Sequence, residues 1–499
     1  MSVTIDLVLS EPIATINPNI YGHFSEHLGA CIYEGAWVGE DSSTAHTNGL
    51  CDDVVTALRR IRPGVMRWPG GCFADDYHWR DGIGPRSERP RRINIHWGDV
   101  IETNAFGTHE FIRYCRAIGA QPYIAGNLGS GTPQEMRDWV EYCNFPNGTT
   151  LSDMRADNGD PEPFHVRYWG VGNENWGCGG HFAPEDYATE YRRFATYMRD
   201  FGGDSLYLIA CGPNSNDLDW TRRFFTKLHD GAPSGRRIHG YAAHYYCNTP
   251  GIATEFDDSG WYRLLDQAQG MEALVVQQRA LMDAFDPTRR IGLVVDEWGA
   301  WHRPTPGRNP KFLWQQNTLR DAMLAAISLD IFNRHADKVV MANIAQTVNV
   351  LQALLLTENG RTITTPTYHV FDLYQPHQGG QSVRALFDAP EISYASDGQP
   401  RQLFGLAGSA SLKENRLTLT VVNPQIGAQV EAAIRLLGEA RVAEGFETVL
   451  THADIHAHNT FDAPDDIRLS DTRRLSVTGS DFSHVFAPHS ITRLELTLA

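Results

Sequence analysis

Two segments of the chain run from an apolar stretch directly into a carboxylate beside a tryptophan. One is GVGNENW, carrying Asn173, Glu174 and Trp176; the other is VVDEWG, carrying Asp296, Glu297 and Trp298. Two carboxylates facing one bond are what cleavage of an acetal requires. One must arrive protonated to help the leaving oxygen depart, and the other ionised to attack the anomeric carbon or activate water. Asn173 precedes Glu174, and an amide there can hold a sugar 2-hydroxyl beside the reacting carbon. That makes Glu174 the general acid/base, its pKa raised by apolar surroundings and by the second carboxylate. Glu297 is then the nucleophile, kept ionised by hydrogen bonds that His244 and Tyr246 are placed to supply.

Eight short apolar runs read as strands: Ile20–Phe24, Val65–Trp68, Pro122–Asn127, Val166–Asn173, Leu206–Gly212, Ile238–Tyr246, Ile291–Glu297 and Lys338–Ile344. Helical stretches follow them near 50–62, 107–119, 133–143, 184–201, 217–229, 268–285, 315–335 and 366–377. In the fourth, Tyr187, Tyr191, Phe194, Met198 and Phe201 share one face, Pro184 stands at the start, and Gly202–Gly203 are expected to stop it. Eight strand-then-helix units predict a closed parallel (β/α)8 TIM barrel, whose site forms at the C-terminal strand ends. Strands four and seven, which end in the two glutamates, oppose each other across that mouth. An open doubly wound sheet would more often carry a Gly-rich phosphate loop after its first strand, and GHFSEHLG has no such spacing.

After about residue 380 short alternating runs such as RLTLTVV (416–422) and ITRLELTL (491–498) predict a C-terminal antiparallel β-sandwich, jelly-roll-like. Residues 2–9 alternate too and are expected to add a strand to it. The division expected is a catalytic barrel over 18–378 and a sandwich over 1–17 plus 379–499.

The 499 residues carry 43 Lys+Arg against 60 Asp+Glu, a net charge of −17 that repels nucleic acid and anionic membranes and tolerates a neutral sugar. No apolar run approaches a membrane span, and the N-terminus has no basic region followed by an unbroken apolar one. The eight cysteines stand singly, with no CxxC pair, which predicts reduced thiols in a cytoplasmic protein rather than a disulfide framework. His452, His456 and His458 crowd THADIHAHNT, but they read as a solvated loop. Paired-carboxylate hydrolysis needs neither metal nor cofactor. The basic run RSERPRRINIHW (86–97) reads as a salt-bridged loop bordering the cleft.

The motifs YGHFSEHLG (21–29), RWPGGCFADDYHWRDGIGP (67–85), GVGNENWG (170–177), HYY (244–246), VVDEWG (294–299) and NIAQTVNV (343–350), in this order, resemble glycoside hydrolase family 51. The resemblance covers essentially the whole chain. It implies a retaining, exo-acting α-L-arabinofuranosidase that releases terminal arabinofuranose from arabinan, arabinoxylan or their oligosaccharides. It also implies a homo-oligomer, trimer or hexamer. Carried over by position, Glu174 matches the acid/base and Glu297 the nucleophile. Glu26 matches a carboxylate on arabinose hydroxyls, and Asn173, Tyr246 and Gln346 match further sugar contacts. Arg67 is implied beside the nucleophile, Cys72 at the furanose edge, and Trp97 and Trp176 as stacking walls, with Trp298 and Trp301 as further candidates. An endo-acting glucanase or xylanase on the same scaffold, or a non-catalytic carbohydrate-binding protein, are the alternatives; the matched pair of glutamates argues against the last.

Overall fold

The computed structural model describes residues 3–203, 205–230 and 237–499. Its centre is a closed barrel of eight parallel strands in sequence order: Gly22–Phe24, Val65–Trp68, Gln121–Gly126, Tyr168–Val171, Tyr207–Asn214, Gly240–Cys247, Gly292–Ala300 and Val339–Ala345. They are numbered one to eight below. These strands are continuous apolar runs because helices cover their outer face while side chains fill their inner one. A layer of Val65, Tyr123, Tyr168, Ile209, Ala242, Val294 and Met341, one residue from each of strands two to eight, plugs the interior. Side chains nearer the C-terminal ends are thereby left to form a site.

The helix after strand four, Pro184–Tyr197, begins at its expected proline but ends before Gly202–Gly203. Met198 turns extended (φ −77°, ψ 106°), which carries Phe201 off the helix face and edge-on to Phe145, 5.6 Å between ring centres. Two helices lie where the sequence reading has none, Thr150–Asp157 and Asp258–Gln269. The second buries Trp261, Leu264, Leu265 and Ala268, and Asp257 caps it by accepting from the Gly260 amide at 2.8 Å.

A nine-stranded sheet forms the second core. In spatial order its strands are Arg473–Leu475, Val442–Leu450, Ser490–Leu498, Arg416–Asn423, Ala407–Lys413, Gln381–Asp388, Val3–Thr15, Val430–Leu437 and Asp481–Phe486. Val3–Thr15 pairs antiparallel with Gln381–Asp388 and parallel with Val430–Leu437, so the first residues of the chain sit inside the C-terminal sheet. Ser2, at the start of the expected 2–9 strand, lies outside the described residues. Ile5, Leu7, Leu417, Leu419, Ile434 and Leu494 pack its core.

The sheet meets the barrel along the helix Leu319–Arg334, which is buried on all sides. There Asp330 Oδ1 accepts from Ser409 (2.7 Å) and Thr420 (2.6 Å), and Oδ2 accepts from Tyr374 (2.9 Å). Burial pushes the Asp330 carboxyl up to about 6, the three hydroxyls and the charge of Arg334 pulling it part of the way back. Among the described residues no helix is long and apolar enough to cross a membrane.

Candidate active site

Strand seven pairs Ala242 with Val294 but His244 with Glu297 on one side, and Val295 with Ala342 but Trp298 with Ile344 on the other. Against both neighbours it therefore holds one extra residue near Asp296. Such a bulge breaks the alternation of faces, and it lets the consecutive carboxylates of Asp296 and Glu297 both enter the barrel. Asp296 Oδ2 accepts from Tyr123 at 2.7 Å, and Glu297 Oε2 accepts from Tyr246 at 2.9 Å. Trp298 then points outward. It is fully buried, edge-on to Phe332 at 5.5 Å and stacked near Phe371, so it is a core side chain and not a sugar wall.

Arg67, at the end of strand two, ties the two opposed strands together. Its Nη1 donates to Glu297 Oε1 (2.8 Å) and to the Asp296 carbonyl (3.0 Å), and its Nη2 donates to Asn173 Oδ1 (2.5 Å). Burial opposes the guanidinium charge, but Asp296 and Glu297 outweigh it and hold Arg67 above its usual range. Close approach here depends on the two glycines that follow Trp68-Pro69. A Cβ on Gly71 would stand 2.8 Å from Glu297 Oε1, and one on Gly70 would stand 2.6 Å from Glu26 Cγ.

His244, on strand six, sits between the carboxylates. Its Nδ1 lies 2.8 Å from Glu174 Oε1 and 3.4 Å from Glu297 Oε2, and its Nε2 lies 3.1 Å from Asp296 Oδ1. Its hydrogen bond thus goes to Glu174, and its other nitrogen forms an ion pair with Asp296, rather than bonding Glu297 as expected from the sequence; Tyr246 is the ring that donates to Glu297. Burial would discharge the imidazole, but Glu297, Asp296 and Glu174 push it up to about 10. Burial likewise opposes the Asp296 charge, and Arg67 and His244 reverse it, holding that carboxyl at about 2.

Glu174 follows strand four with a positive φ of 41°, after Gly172 at 90°. A non-glycine residue held there costs on the order of 1–3 kcal/mol and persists only where its surroundings fix it. Gly177 and Gly179 amides donate to its carbonyl at 2.7 and 3.2 Å. Asp75, in the loop after strand two, accepts from the Asn173 amide (2.9 Å) on one oxygen and from the Leu128 and Gly129 amides (2.7 and 2.8 Å) on the other. One buried carboxylate therefore joins the loops after strands two, three and four. Burial raises it to about 7, the three amides pulling it back. Burial also raises the Glu174 carboxyl, as does the charge of Glu297, while His244 opposes them. One carboxylate oxygen of Glu174 and one of Glu297 lie within 4.8 Å of each other.

The cysteine expectation is overturned here. Cys72 and Cys178 are joined as a disulfide, bridging the loops after strands two and four. The sequence reading treats Cys72 as a free thiol because the partner lies 106 residues away and no local pattern announces it. Its sulfur still borders the site: Cys72 Sγ and Cys178 Sγ stand 3.8 and 3.5 Å from Glu174 Oε2. The other six cysteines are free and buried.

Around this pair stand the remaining candidates. Glu26 accepts from the Phe73 amide (3.1 Å) and Trp97 Nε1 (2.8 Å) on Oε1, and from Gln346 Nε2 (2.9 Å) on Oε2. Burial, then the charge of Glu297, carry it to about 7, against those three donors. Trp97 is set by Asn94, which accepts from its amide at 2.9 Å and donates to the His27 carbonyl at 2.7 Å. The expected salt bridges of this loop are present as Arg86–Glu110, Arg89–Glu110 and Arg92–Asp81. Trp176 is half-buried, edge-on to His244, and Trp301 is edge-on to Tyr246. Asn173 Nδ2 and Gln346 Oε1 are buried and bond to no other described group. His452, His456 and His458 do not converge: their ring nitrogens go to Asp454 and to backbone carbonyls.

The sequence reading missed Asp75 and Cys178. A carboxylate just past a barrel strand is a signal for the first; nothing local points to the second. The assembled groups put a protonatable carboxyl and a carboxylate held by Arg67 and Tyr246 on one small space, the arrangement acetal cleavage needs.

The sequence matches two family models: the α-L-arabinofuranosidase 1 domain over residues 57–263 and the α-L-arabinofuranosidase C-terminal domain over 296–490. An intracellular exo-α-L-arabinofuranosidase of Bacteroides ovatus is 37% identical over 99% of this chain and 96% of its own. Among solved structures, the GH51 arabinofuranosidase of Xanthomonas axonopodis pv. citri has a TM-score of 0.94 and 38% identity, covering 99% of this chain and 100% of that one. The Thermotoga maritima α-L-arabinofuranosidase in complex with arabinose has a TM-score of 0.87 and 32% identity over the same shares. The chain belongs to the α-L-arabinofuranosidases of glycoside hydrolase family 51.

Proposed function

We propose that the chain is an exo-acting, retaining α-L-arabinofuranosidase that frees terminal arabinofuranose from arabinan, arabinoxylan or their oligosaccharides. The observation that carries the retaining mechanism is the carboxylate spacing. One oxygen of Glu174 and one of Glu297 within 4.8 Å support the pair about 5–5.5 Å apart of a double displacement over the spacing of about 6.5–9.5 Å of inversion. Glu297 attacks the anomeric carbon while Glu174 protonates the departing oxygen. The resulting glycosyl-enzyme ester is opened by water, whose proton Glu174 now takes. Arg67 and Tyr246 hold the Glu297 carboxylate in line. Glu26, Asn173 Nδ2 and Gln346 Oε1 offer the furanose hydroxyls buried polar partners, and Trp97 and Trp176 wall the cleft.

Exo action is supported over chain-internal cleavage by the exo-acting Bacteroides relative. The same relative's intracellular designation supports a cytoplasmic location. We also retain the reading of the chain as a homo-oligomer, trimer or hexamer, and its division into a barrel over 18–378 and a sheet domain over 1–17 plus 379–499. The pairing of Val3–Thr15 with Gln381–Asp388 supports that division. Proton NMR of a branched arabino-oligosaccharide digest tests the function: α-arabinofuranose must appear first, before mutarotation. Initial release of the β anomer, or of internal fragments without arabinose, overturns it.

A further inference from the structure

The disulfide and Glu174 make a group whose meaning changes when the bond is opened. Each Glu174 oxygen has its own neighbours: Oε1 faces His244 at 2.8 Å, while Oε2 faces Cys72 Sγ and Cys178 Sγ at 3.8 and 3.5 Å. All three donors are half-buried rather than sealed, so small solutes in the cleft reach them. A dithiol reductant would pass two electrons and two protons to the pair, closing to its own cyclic disulfide and leaving two thiols beside a carboxylate.

Ligands around one tetrahedral zinc ion, with sulfurs at about 2.3 Å and an oxygen at about 2.1 Å, stand roughly 3.6–3.8 Å apart. The two sulfur–oxygen distances are already of that size; only the sulfurs must part, and the Cα atoms carrying them, 5.6 Å apart, leave them free to turn about Cα–Cβ.

We propose that, once reduced, Cys72, Cys178 and Glu174 form a three-ligand site for a soft divalent cation such as Zn²⁺, which takes the carboxyl of Glu174 out of hydrolysis. Binding releases the two thiol protons, and a third where Glu174 carries one, and leaves water on the fourth position. The two thiolates and the carboxylate outnumber the ion's charge by one, and His244 on Oε1 supplies a compensating cation. The inhibition rests on the acid/base reading of Glu174; the metal site itself does not.

The full-length enzyme is reduced with dithiothreitol, freed of it under argon, and titrated with Zn²⁺ by calorimetry and during hydrolysis of 4-nitrophenyl α-L-arabinofuranoside. Co²⁺ is titrated in parallel to record thiolate-to-metal absorption. The expected result is one tight Zn²⁺ per chain with loss of nearly all activity, restored by EDTA, and no such binding to the oxidised enzyme. Cys178→Ser and Glu174→Gln should each weaken binding by about tenfold or more. Equal binding to both redox forms would place the ion on the neighbouring Glu174–His244–Glu297 group and overturn the proposal, as would reduced enzyme that takes up no Zn²⁺ or Co²⁺ without thiolate bands. An error in the role of Glu174 would show instead in hydrolysis by Glu174→Ala, which the calorimetry does not depend on.

Discussion

At the barrel mouth the carboxylates of Glu26, Asp75, Glu174, Asp296 and Glu297 crowd around two cations, Arg67 and His244. At the seam below, Asp330 is as deeply buried yet meets three hydroxyls, from Ser409, Thr420 and Tyr374. The partners decide what each site does. Burial carries Glu26 and Asp75 up to about 7, while the cations Arg67 and His244 hold the equally buried Asp296 at about 2, and such separation lets neighbouring acids take different roles. Hydroxyls at the seam accept and donate in either protonation state of Asp330, so that site serves docking.

Substitutions can break this contrast. The largest effect belongs to Glu297→Gln, which should lower kcat on an aryl arabinofuranoside by about 10⁴-fold while the melting temperature stays level or rises, because a crowded negative charge is gone. A fall of many degrees with retained turnover would put Glu297 among the structural residues. Asp330→Ala should do the reverse: a stability loss of about 3 kcal/mol, from three hydroxyls losing their acceptor and from the cavity, with kcat/KM changed less than about twofold. Urea titration and steady-state kinetics read the two.

The seam also carries a pH signature. Asp330 titrates at about 6 in the folded chain against 3.8 when exposed. Stability from its protonated form is therefore fully present below about 3.8 and lost as pH rises through about 6. Asp330→Asn should gain on the wild type over that window and stay level above it. The smallest effect is at the mouth. His244 lowers the Glu174 pKa, so His244→Gln should move the alkaline limb of kcat/KM to higher pH. A limb that stays or moves down would mean that another group sets it.

The barrel was legible because its strands are apolar runs of the right length, and all eight lie where the sequence reading has them. Glu174 and Glu297 were legible because strand ends in such a barrel point to the site. Trp298 was misread because strand seven shows two inward carboxylates in a row, and the bulge that permits this appears only against the neighbouring strands. Asp75 gains its meaning from amides 53, 54 and 98 residues away, and Cys72 from a sulfur 106 away; closures of that length leave no local trace. The helix Asp258–Gln269, by contrast, shows its apolar spacing at 261, 264, 265 and 268 and was readable.

The division of labour between the two glutamates is tested most directly by azide. With an activated aryl arabinofuranoside, Glu174→Ala should form its glycosyl-enzyme and pass it to azide, giving the arabinofuranosyl azide of retained α configuration. Glu297→Ala has no nucleophile, so azide must attack the substrate itself and give the inverted β azide. A retained azide from Glu297→Ala, or an inverted one from Glu174→Ala, would contradict the assignment.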